Sequence, residues 1–417
     1  MIFTSLVALF VLIGAHVPKA FTLFYLALAI GTFRTYRQAH SLGLRRSQLV
    51  PPIWVLISLQ VFSLGHAYGM VHYGYWGYAG RDFADLIASV FLPIWCFSLG
   101  FALQKVNKKL LTMLIVAYSA GALFYFLLAL LKTRGLNWYS QVGDVGSILT
   151  PWGIAQSMNI RSMEQNGILA LVGLPLGFQL LLRGRRWTGW LLLVFSLLAG
   201  CATISLGGRL WIPSFFLASL PLIFGLVAEF KAKILADWRS KGICLGVLVL
   251  FLIALFSRSS SLCDERFSLY AGFLRRLDQV FWGGRSIHFE ATLCNGGVYL
   301  YDAAGHVGTS PMAHNVVLDL VKDTGVLVVI PLLMVFAAVV FRYFVVFLPA
   351  LARVHQGVRV NDSWPDLALN SVAAVLIMQF MFQPVLYGDG LLYYFGYIVM
   401  GALLAWSDNK QAFFQPA

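Results

Sequence analysis

The chain has 417 residues, of which 59% are hydrophobic and only 11% are charged, and its mean hydropathy is +0.79. Soluble domains carry about 25% charged residues, so this chain has too few charges to cover itself with a water-soluble surface. Soluble, disordered and fibrous proteins are therefore excluded. The net charge of +13 is typical of basic cytoplasmic segments and of attraction to anionic lipid, and it does not imply binding of nucleic acid. We expect an all-α polytopic membrane protein.

Uncharged stretches provide room for about twelve transmembrane helices, because a bilayer core needs about 20 apolar residues of helix. These stretches lack Asp, Glu, Lys and Arg, and they cover residues 1–18, 20–33, 47–80, 86–104, 110–131, 165–182, 187–208, 210–228, 242–257, 324–341, 367–388 and 390–407. The second stretch is short, which predicts a tight hairpin of the first two spans around Pro18. In the third stretch we place the helix at 51–66 and an interfacial connection from His66 to Arg81. The first span lacks a basic start and a cleavage site, so we expect it to be retained.

The basic residues orient these helices. With the N-terminus inside, most of the 30 Lys and Arg residues fall in cytoplasmic segments, as the positive-inside rule requires. Both termini are therefore predicted to be cytoplasmic, and two long connections, Lys132 to Glu164 and Ser257 to Met312, face the outer side. We expect one membrane domain, 1–417, with a large outer loop, 257–312, between the ninth and tenth spans. Long loops of this kind are commonly functional.

Two helices are predicted within and after the large loop. Residues 266–278 carry apolar side chains at near-helical spacing and predict an amphipathic helix that lies on the membrane face. After Pro311, the spacing of Val317, Leu320 and Val321 predicts a helix that runs into the tenth span with a bend near Gly325.

The five cysteines divide between the spans and the outer loop. Cys263 and Cys294 share the loop, and in an oxidising compartment they would be candidates for a disulfide, although their spacing leaves the pairing open. The others fall in predicted spans and are expected to be small buried apolar residues: Cys96, Cys201 and Cys244.

No sequence pattern indicates a bound metal or nucleotide. Zinc-ligand spacing, a P-loop, a Rossmann fingerprint and an HExxH motif are all missing from the sequence. Paired acids sometimes hold a divalent ion, and the outer side has three close pairs. Each pair has a basic neighbour, so we expect salt-bridged surfaces: Asp82 with Asp85, Asp264 with Glu265, and Asp319 with Asp323.

Arg209 and His314 are the most informative polar residues. Arg209 stands between two uncharged stretches, where a charge is costly without a partner or a task. It is either an arginine that snorkels to the headgroups or a clamp on an anionic ligand. His314 lies near the start of a predicted helix, whose positive end keeps an imidazole neutral and able to accept a proton. A lone histidine is more often structural, and Asn315 either orients a sugar or caps the helix.

The remaining candidates are outer-side residues that are also explained as salt bridges, helix ends or interfacial anchors: Arg161, Asn166, Arg266, Arg275, Arg276 and Asp389. The large loop has as many acids as bases, so only specifically placed arginines within it would bind phosphate. Asp389 stands alone between the last two spans, where it is able to pair with an outer arginine.

The combination of these elements resembles the family of bacterial O-antigen ligases, within the superfamily shared with O-antigen polymerases. The resemblance is carried by SLGGR, which ends at Arg209, by ERFSLY, which contains Arg266, and by AHNVVLDLVKDTGVLVVIPLL, which contains His314. Twelve predicted spans with a large loop before the tenth agree with it. The resemblance implies that His314 is an essential histidine and that Arg209 and Arg266 are essential arginines. Arg275 and Arg276 lie close enough to take the second of these arginine roles.

The resemblance implies transfer of a preassembled polysaccharide from undecaprenyl diphosphate to a sugar hydroxyl of the lipid A–core oligosaccharide, at the periplasmic face of the bacterial inner membrane. Guanidinium groups bind phosphate bidentately and stay charged, so we assign Arg161, Arg209 and Arg266 to the diphosphate. We assign His314 to the acceptor hydroxyl, as a base or as a positioning group. Asn166 resembles an Asn-containing element that the family carries before the sixth span. The family reaction is metal-independent, needs no cofactor and, by direct attack, would invert the anomeric centre.

Three other functions remain open. O-antigen polymerases use the same donor and usually show a second arginine-rich outer loop, whereas the connection from Lys132 to Glu164 has few basic residues; this favours the ligase. Protein O-oligosaccharyltransferases usually carry a longer tail after the histidine motif. A transporter of lipid-linked glycans would place charges at mid-membrane and often shows inverted repeats. Here the charges lie at span ends, and we detect no repeat.

Overall fold

The computed structural model describes residues 2–14, 21–72, 83–134, 173, 177, 180–181, 185–205, 213–220, 265–282, 287–292, 297–302, 313, 315–351, 364–382 and 390–407. Most of these residues are helical, and the only sheet among them is a two-stranded antiparallel hairpin. The expected helical architecture is therefore present in the described chain, and the hairpin, which was not predicted, is added to it.

The helices before the outer loop are α1 (Ile2–Gly14), α2 (Phe21–Ser41), α3 (Arg46–Leu49), α4 (Ile53–His72), α5 (Phe83–Val106), α6 (Lys108–Arg134) and α7 (Arg186–Ser205), and residues 213–220 are also helical. The loop region contains α8 (Glu265–Leu274), a 3₁₀ turn (Leu277–Val280) and the strands β1 (His288–Thr292) and β2 (Val298–Asp302). It is followed by α9 (Val316–Thr324), α10 (Val326–Arg342), α11 (Trp364–Phe382) and α12 (Gly390–Ala405). Helix α10 continues through a π-helical turn, Tyr343–Phe347, to residue 351.

Three helices of the described chain are long and apolar enough to cross a membrane, and they cover Leu86–Val106, Val326–Leu351 and Pro365–Phe382. Other apolar helices are shorter: Ser5–Gly14, Ile53–Gly69, Arg186–Leu198 and Leu392–Ala405. Several predicted spans coincide closely with helices, namely 86–104, 110–131, 187–208, 324–341 and 390–407. The predicted span 242–257 lies outside the described residues. The apolar helices support a membrane protein, and the total of about twelve spans stays a prediction.

An apolar stripe on α4 is exposed along the whole helix. Its side chains are 48–75% exposed and recur every three or four residues: Ile53, Ile57, Val61, Leu64, Tyr68 and Val71. At this spacing the residues share one side of the helix. Soluble proteins rarely leave such a contiguous apolar surface in water. The acyl chains of a bilayer would cover the stripe, which agrees with a membrane location.

Two helices extend beyond their predicted ends. Helix α2 continues to Ser41, past the uncharged stretch 20–33, because charged residues end the apolar part of a span without ending its backbone hydrogen bonds. Helix α4 continues to His72, past the predicted end at 66. The added turns of α4 contact α9, and a Cβ at Gly69 would lie 2.7 Å from the carbonyl oxygen of Asp323. Helices α1 and α2 also contact each other, while the predicted turn between them lies outside the described residues.

The most extensive helix contact in the described chain joins α5 and α12. Two glycines allow the backbones to approach. A Cβ at Gly100 would lie 2.7 Å from the carbonyl carbon of Ile398, and a Cβ at Gly401 would lie 2.9 Å from the carbonyl carbon of Phe97. Small residues permit this kind of close packing between membrane helices. The pair α5–α12 therefore depends on the absence of side chains at these two positions.

Contacts between helix ends fall into two groups. At the end that holds Lys108, which we call the basic end, Asn107 Nδ2 donates to Gln38 Oε1 over 2.6 Å, and Trp406 Nε1 donates to Asp366 Oδ1 over 3.1 Å. Lys108 Nζ lies 4.0 Å from the same carboxylate oxygen. The opposite end, the loop end, holds the last turn of α11 and the start of α9. The segments of these helices that are predicted to be cytoplasmic share the basic end.

We expect Gly401→Ala to destabilise the protein, because the added methyl group would overlap the backbone of Phe97. The expected loss is about 1–3 kcal/mol, as for other overpacked sites. The measurement is unfolding in a fixed detergent, by heat or by added SDS. Gly31→Ala is the matched control, since a Cβ there would meet only Leu99 Cδ2 at 3.9 Å. Equal stability of the two variants would contradict the close α5–α12 packing.

Candidate functional site

Asn315 caps the start of α9. Its Oδ1 accepts hydrogen bonds from the backbone N–H groups of Val317 (2.9 Å) and Leu318 (3.1 Å). These donors belong to the first turn of the helix, where they have no partner within the helix. Asn315 Nδ2 donates to the carbonyl oxygen of Met381 over 3.0 Å, and the residue is only 6% exposed. Of the two roles left open by the sequence, the helix cap is therefore the one that the structure shows.

Ala313 is also held by α9. Its backbone N–H donates to Oδ1 of Asp319 over 2.8 Å, and Ala313 is fully buried. His314 lies between Ala313 and Asn315 in the sequence, and it falls outside the described residues. Ala313 is thus hydrogen-bonded to a buried carboxyl, and Asn315 to the start of α9 and to the Met381 carbonyl, both at the loop end. The predicted helix after Pro311 is confirmed as α9, and the predicted bend is confirmed at Gly325, whose φ of 92° favours glycine.

Helix α8 reaches the same point of the bundle. Tyr270 donates its hydroxyl to the carbonyl oxygen of Met381 over 2.8 Å. Met381 belongs to the last turn of α11, where carbonyl groups lack a partner within the helix, and one carbonyl oxygen accepts two hydrogen bonds. Asn315 and Tyr270 therefore share one acceptor. Arg266 lies one helical turn before Tyr270, so the structure brings the α8 backbone that carries this arginine to the helix end that also binds Asn315.

The apolar side of α8 faces a β-hairpin. Leu269 and Phe273 are buried, and the ring of Phe273 lies 5.9 Å from the ring of Tyr301 in β2. Tyr301 stacks on Phe289 of β1 at 4.9 Å, and α8 contacts β1. The predicted helix in this loop is confirmed, although it ends at Leu274. The apolar residues Leu269 and Phe273 are buried, with Phe273 packed on Tyr301 of the hairpin, and the position of the helix on the membrane face stays a prediction.

A cluster of charged residues is buried in α9. Asp319 and Asp323 are fully buried, and Lys322 is 1% exposed. Lys322 Nζ lies 3.8 Å from Asp319 Oδ1 and 3.7 Å from Asp323 Oδ1. The predicted salt bridge is confirmed, but its predicted place on the surface is wrong, because α9 is packed against α4, α10 and α11. Among the described residues, no three His, Cys, Asp or Glu side chains gather as a metal site.

Burial raises the pKa of the Asp319 carboxyl from 3.8 to about 7. The positive charge of Lys322 and hydrogen bonds to the backbone of Ala313 and Asn315 act in the opposite direction, and the charge of Asp323 adds to the rise. Asp319 Oδ2 has no hydrogen-bond partner among the residues that the structure describes. At neutral pH a large share of Asp319 therefore carries a proton, which lessens the excess of two carboxyl groups over one ammonium group.

Most predicted site residues lie outside the described residues: Arg161, Asn166, Arg209, His314 and Asp389. For Arg266 the structure describes the backbone in the first turn of α8 and not the side chain. Arg275 and Arg276 follow α8 with exposed side chains. The structure thus brings the Arg266 region of α8 close to Asn315, and the roles assigned to the other residues stay predictions.

The remaining sequence predictions have separate outcomes. Cys96 is buried in α5, as predicted. Cys263 and Cys294 lie outside the described residues, so their disulfide stays a hypothesis. The side chains of the other acid pairs, and those of the remaining cysteines, are likewise outside the described part of the chain: Asp82, Asp85, Asp264, Glu265, Cys201 and Cys244.

Two features of the site were not found from the sequence. Tyr270 was missed because its partner is a backbone carbonyl, which has no residue signature. The hairpin had a signal: Asn295 and Gly296 stand between two short runs of alternating apolar residues, which is a strong indication of a hairpin turn. The chain matches no family model, no curated protein and no solved structure. The family resemblance that the sequence motifs carry is therefore not tested by these comparisons.

The raised pKa of Asp319 predicts a pH-dependent stability. The folded state holds the proton more tightly than the unfolded chain, so the stabilisation is complete below about pH 4, the range of an ordinary aspartate, and is lost as the pH rises through about 7. Asp319→Asn cannot titrate and serves as the reference. We expect the melting temperature of the wild type minus that of Asp319→Asn to fall between these pH values. A difference that stays flat above about pH 5 would mean that the carboxyl has an ordinary pKa.

The contact between Tyr270 and Met381 predicts that Tyr270→Phe loosens α8. Loss of one hydrogen bond of this kind lowers the local stability of α8 by about 1 kcal/mol. This corresponds to roughly fivefold faster amide exchange in residues 265–274. Hydrogen–deuterium exchange with mass spectrometry measures it. Tyr36→Phe, at an exposed tyrosine of α2, is the control for removal of a hydroxyl group. Unchanged exchange in α8 would show that the hydrogen bond does not hold this helix.

Proposed function

We propose that this chain is a membrane glycosyltransferase that moves a preassembled O-antigen polysaccharide from undecaprenyl diphosphate to a sugar hydroxyl of lipid A–core. The observation that carries the proposal is the shared acceptor at Met381. Through it, the helix with Arg266 and Asn315, the residue that follows His314 in the sequence, are held at one end of the bundle. An anion-binding arginine and a proton acceptor must lie near each other in this reaction, since they serve the two sides of one anomeric carbon.

The proposed reaction is a direct displacement. The acceptor hydroxyl gives its proton to His314 while its oxygen attacks the anomeric carbon of the donor. The bond from that carbon to the diphosphate oxygen breaks, and undecaprenyl diphosphate leaves with the electron pair. The anomeric centre is inverted. Arginine stabilises the charge on the leaving oxygens, because guanidinium groups bind phosphate bidentately and act more strongly where lipid and protein exclude water.

The proposed contacts with the donor follow from the family resemblance. Arg266, Arg209 and Arg161 bind the diphosphate, and Asn166 and Asp389 support the site from neighbouring span ends. Residues 266 and 270 are one turn apart on α8, so they share one side of the helix. Tyr270 contacts Met381 at the loop end, which supports Arg266 as the loop arginine of the site. Arg275 and Arg276 come after the last turn of α8 and are less suited to this position.

The proposed membrane placement follows the same division of the bundle. The loop end faces the periplasm of a bacterial cell, and the basic end faces the cytoplasm, where Lys105, Lys108 and Arg342 satisfy the positive-inside rule. Both termini are then cytoplasmic. The undecaprenyl tail lies in the bilayer along apolar helix surfaces such as the exposed stripe of α4. The diphosphate stands at the headgroup level, next to the loop end.

Reconstituted transfer tests the proposal. Purified protein in proteoliposomes is mixed with an undecaprenyl-diphosphate-linked glycan, lipid A–core and EDTA, and laddering of lipopolysaccharide is followed on a gel. We expect laddering in EDTA, and we expect His314→Ala to lose about 10²-fold or more of the rate. Arg266→Lys loses bidentate phosphate binding and is expected to fall by about tenfold or more. Arg37→Lys is the matched control, because this exposed arginine lies near the basic end.

Other outcomes would contradict the proposal. Chain growth from lipid-linked repeat units alone would identify a polymerase. Glycan movement across the membrane without any new glycosidic bond would identify a transporter. Full activity of His314→Ala would remove the histidine from the reaction. Loss of activity in Arg275→Lys or Arg276→Lys, with Arg266→Lys unaffected, would move the phosphate contact to the end of α8.

A further inference from the structure

Ala313 and Asn315 are each hydrogen-bonded to the bundle. The Ala313 N–H donates to Asp319 Oδ1 over 2.8 Å. Asn315 is held by its cap on α9 and by its hydrogen bond to the Met381 carbonyl. The residues on either side of position 314 in the sequence therefore both have hydrogen-bond partners in α9 or α11.

Burying a carboxyl group such as that of Asp319 is unfavourable for folding, so a gain in stability alone does not explain its place in α9. It is fully buried, its Oδ2 has no partner among the described residues, and Lys322 Nζ is no closer than 3.8 Å. Replacing buried ionic groups with apolar residues of similar volume is often neutral or stabilising. A buried acid that accepts backbone hydrogen bonds from Ala313 and Asn315 therefore fits a role in fixing geometry better than a role in stability.

The helix that carries Asp319 is a firm support. The carbonyl oxygen of Asp323 lies against Gly69 of α4, and Thr324 donates its hydroxyl to the Leu320 carbonyl over 2.7 Å. Helix α9 also contacts α10 and α11. Ala313 is therefore hydrogen-bonded to a helix that is itself packed against α4, α10 and α11.

We propose that Asp319 is a positioning residue, which holds the backbone of Ala313 and Asn315, the sequence neighbours of His314, at the loop end. The consequence for transfer rests on the proposed function: displacement of a reacting group by about 1 Å costs on the order of a hundredfold in rate. The structural part of the inference does not depend on the chemistry, since the Ala313 hydrogen bond is defined by the described residues alone.

Three variants of the full-length protein test this role. Asp319→Asn keeps a carbonyl oxygen that is able to accept from Ala313. Asp319→Leu has a similar volume but no acceptor, and it leaves Lys322 paired with Asp323. Thr324→Val is the matched control, because it removes a buried hydrogen bond from the same helix, far from Ala313. Thermal unfolding in detergent shows whether each variant is folded and how its stability compares with that of the control.

The first readout is amide exchange of residues 313–318, resolved by fragmentation in the mass spectrometer. We expect exchange at Ala313 to be about tenfold faster in Asp319→Leu, and unchanged in Asp319→Asn and in Thr324→Val. The second readout is transfer kinetics. We expect kcat to fall about a hundredfold in Asp319→Leu with KM within a few-fold of the wild type, and Asp319→Asn to restore most of the rate.

The outcomes separate this inference from the proposed function. Protection of Ala313 that survives in Asp319→Leu would overturn the positioning role, whatever the activity. Faster exchange at Ala313 with transfer equal to that of Thr324→Val would show that Asp319 holds Ala313 but that this position does not matter for the reaction. Faster exchange at Ala313 in a protein whose wild type transfers no glycan would support Asp319 as the residue that holds Ala313 and would reject the glycosyltransferase proposal.

Discussion

The loop end of this protein depends on the burial of α9. A helix of nine residues is too short to be stable alone, so α4, α10 and α11 supply the contacts that maintain it. Its burial takes Asp319, Lys322 and Asp323 out of water, which is unfavourable unless the charges are paired. The ion pair and the hydrogen bond from Ala313 offset part of that cost. What results is a buried helix start, in which Asp319 accepts a hydrogen bond from Ala313.

Backbone groups at helix ends, which lack a partner within their own helix, join the outer loop to the start of α9. The Met381 carbonyl ends α11 without a partner in its own helix, and it accepts from Asn315 at the start of α9 and from Tyr270 in α8. The hairpin then covers the apolar side of α8, so the loop has a small core of its own, built around Phe273 and Tyr301. The loop helix is therefore held by protein contacts on its Leu269–Phe273 side and at Tyr270.

Local rules explain what was predicted correctly from the sequence. A long uncharged run in lipid has to satisfy every backbone group internally, and a helix does so; helices α5, α6, α7, α10 and α12 follow the predicted spans. The helix cap at Asn315, which was one of two roles left open, and the bend at Gly325 also depend on neighbours within a few positions. The hairpin has a local signal as well, at Asn295 and Gly296, and it was overlooked.

The sequence by itself determined the helical membrane character, the start of α9 and the pairing of Lys322 with its acidic neighbours, because these depend on residues close together in the chain. Only the tertiary structure decided that the charged cluster is buried, that α8 faces a hairpin, and that Asn315 and Tyr270 share Met381. These features depend on partners far apart in sequence: Tyr270 and Met381 are 111 positions apart. Several of the partners are also backbone groups, which every residue carries, so no pattern of side chains reveals them.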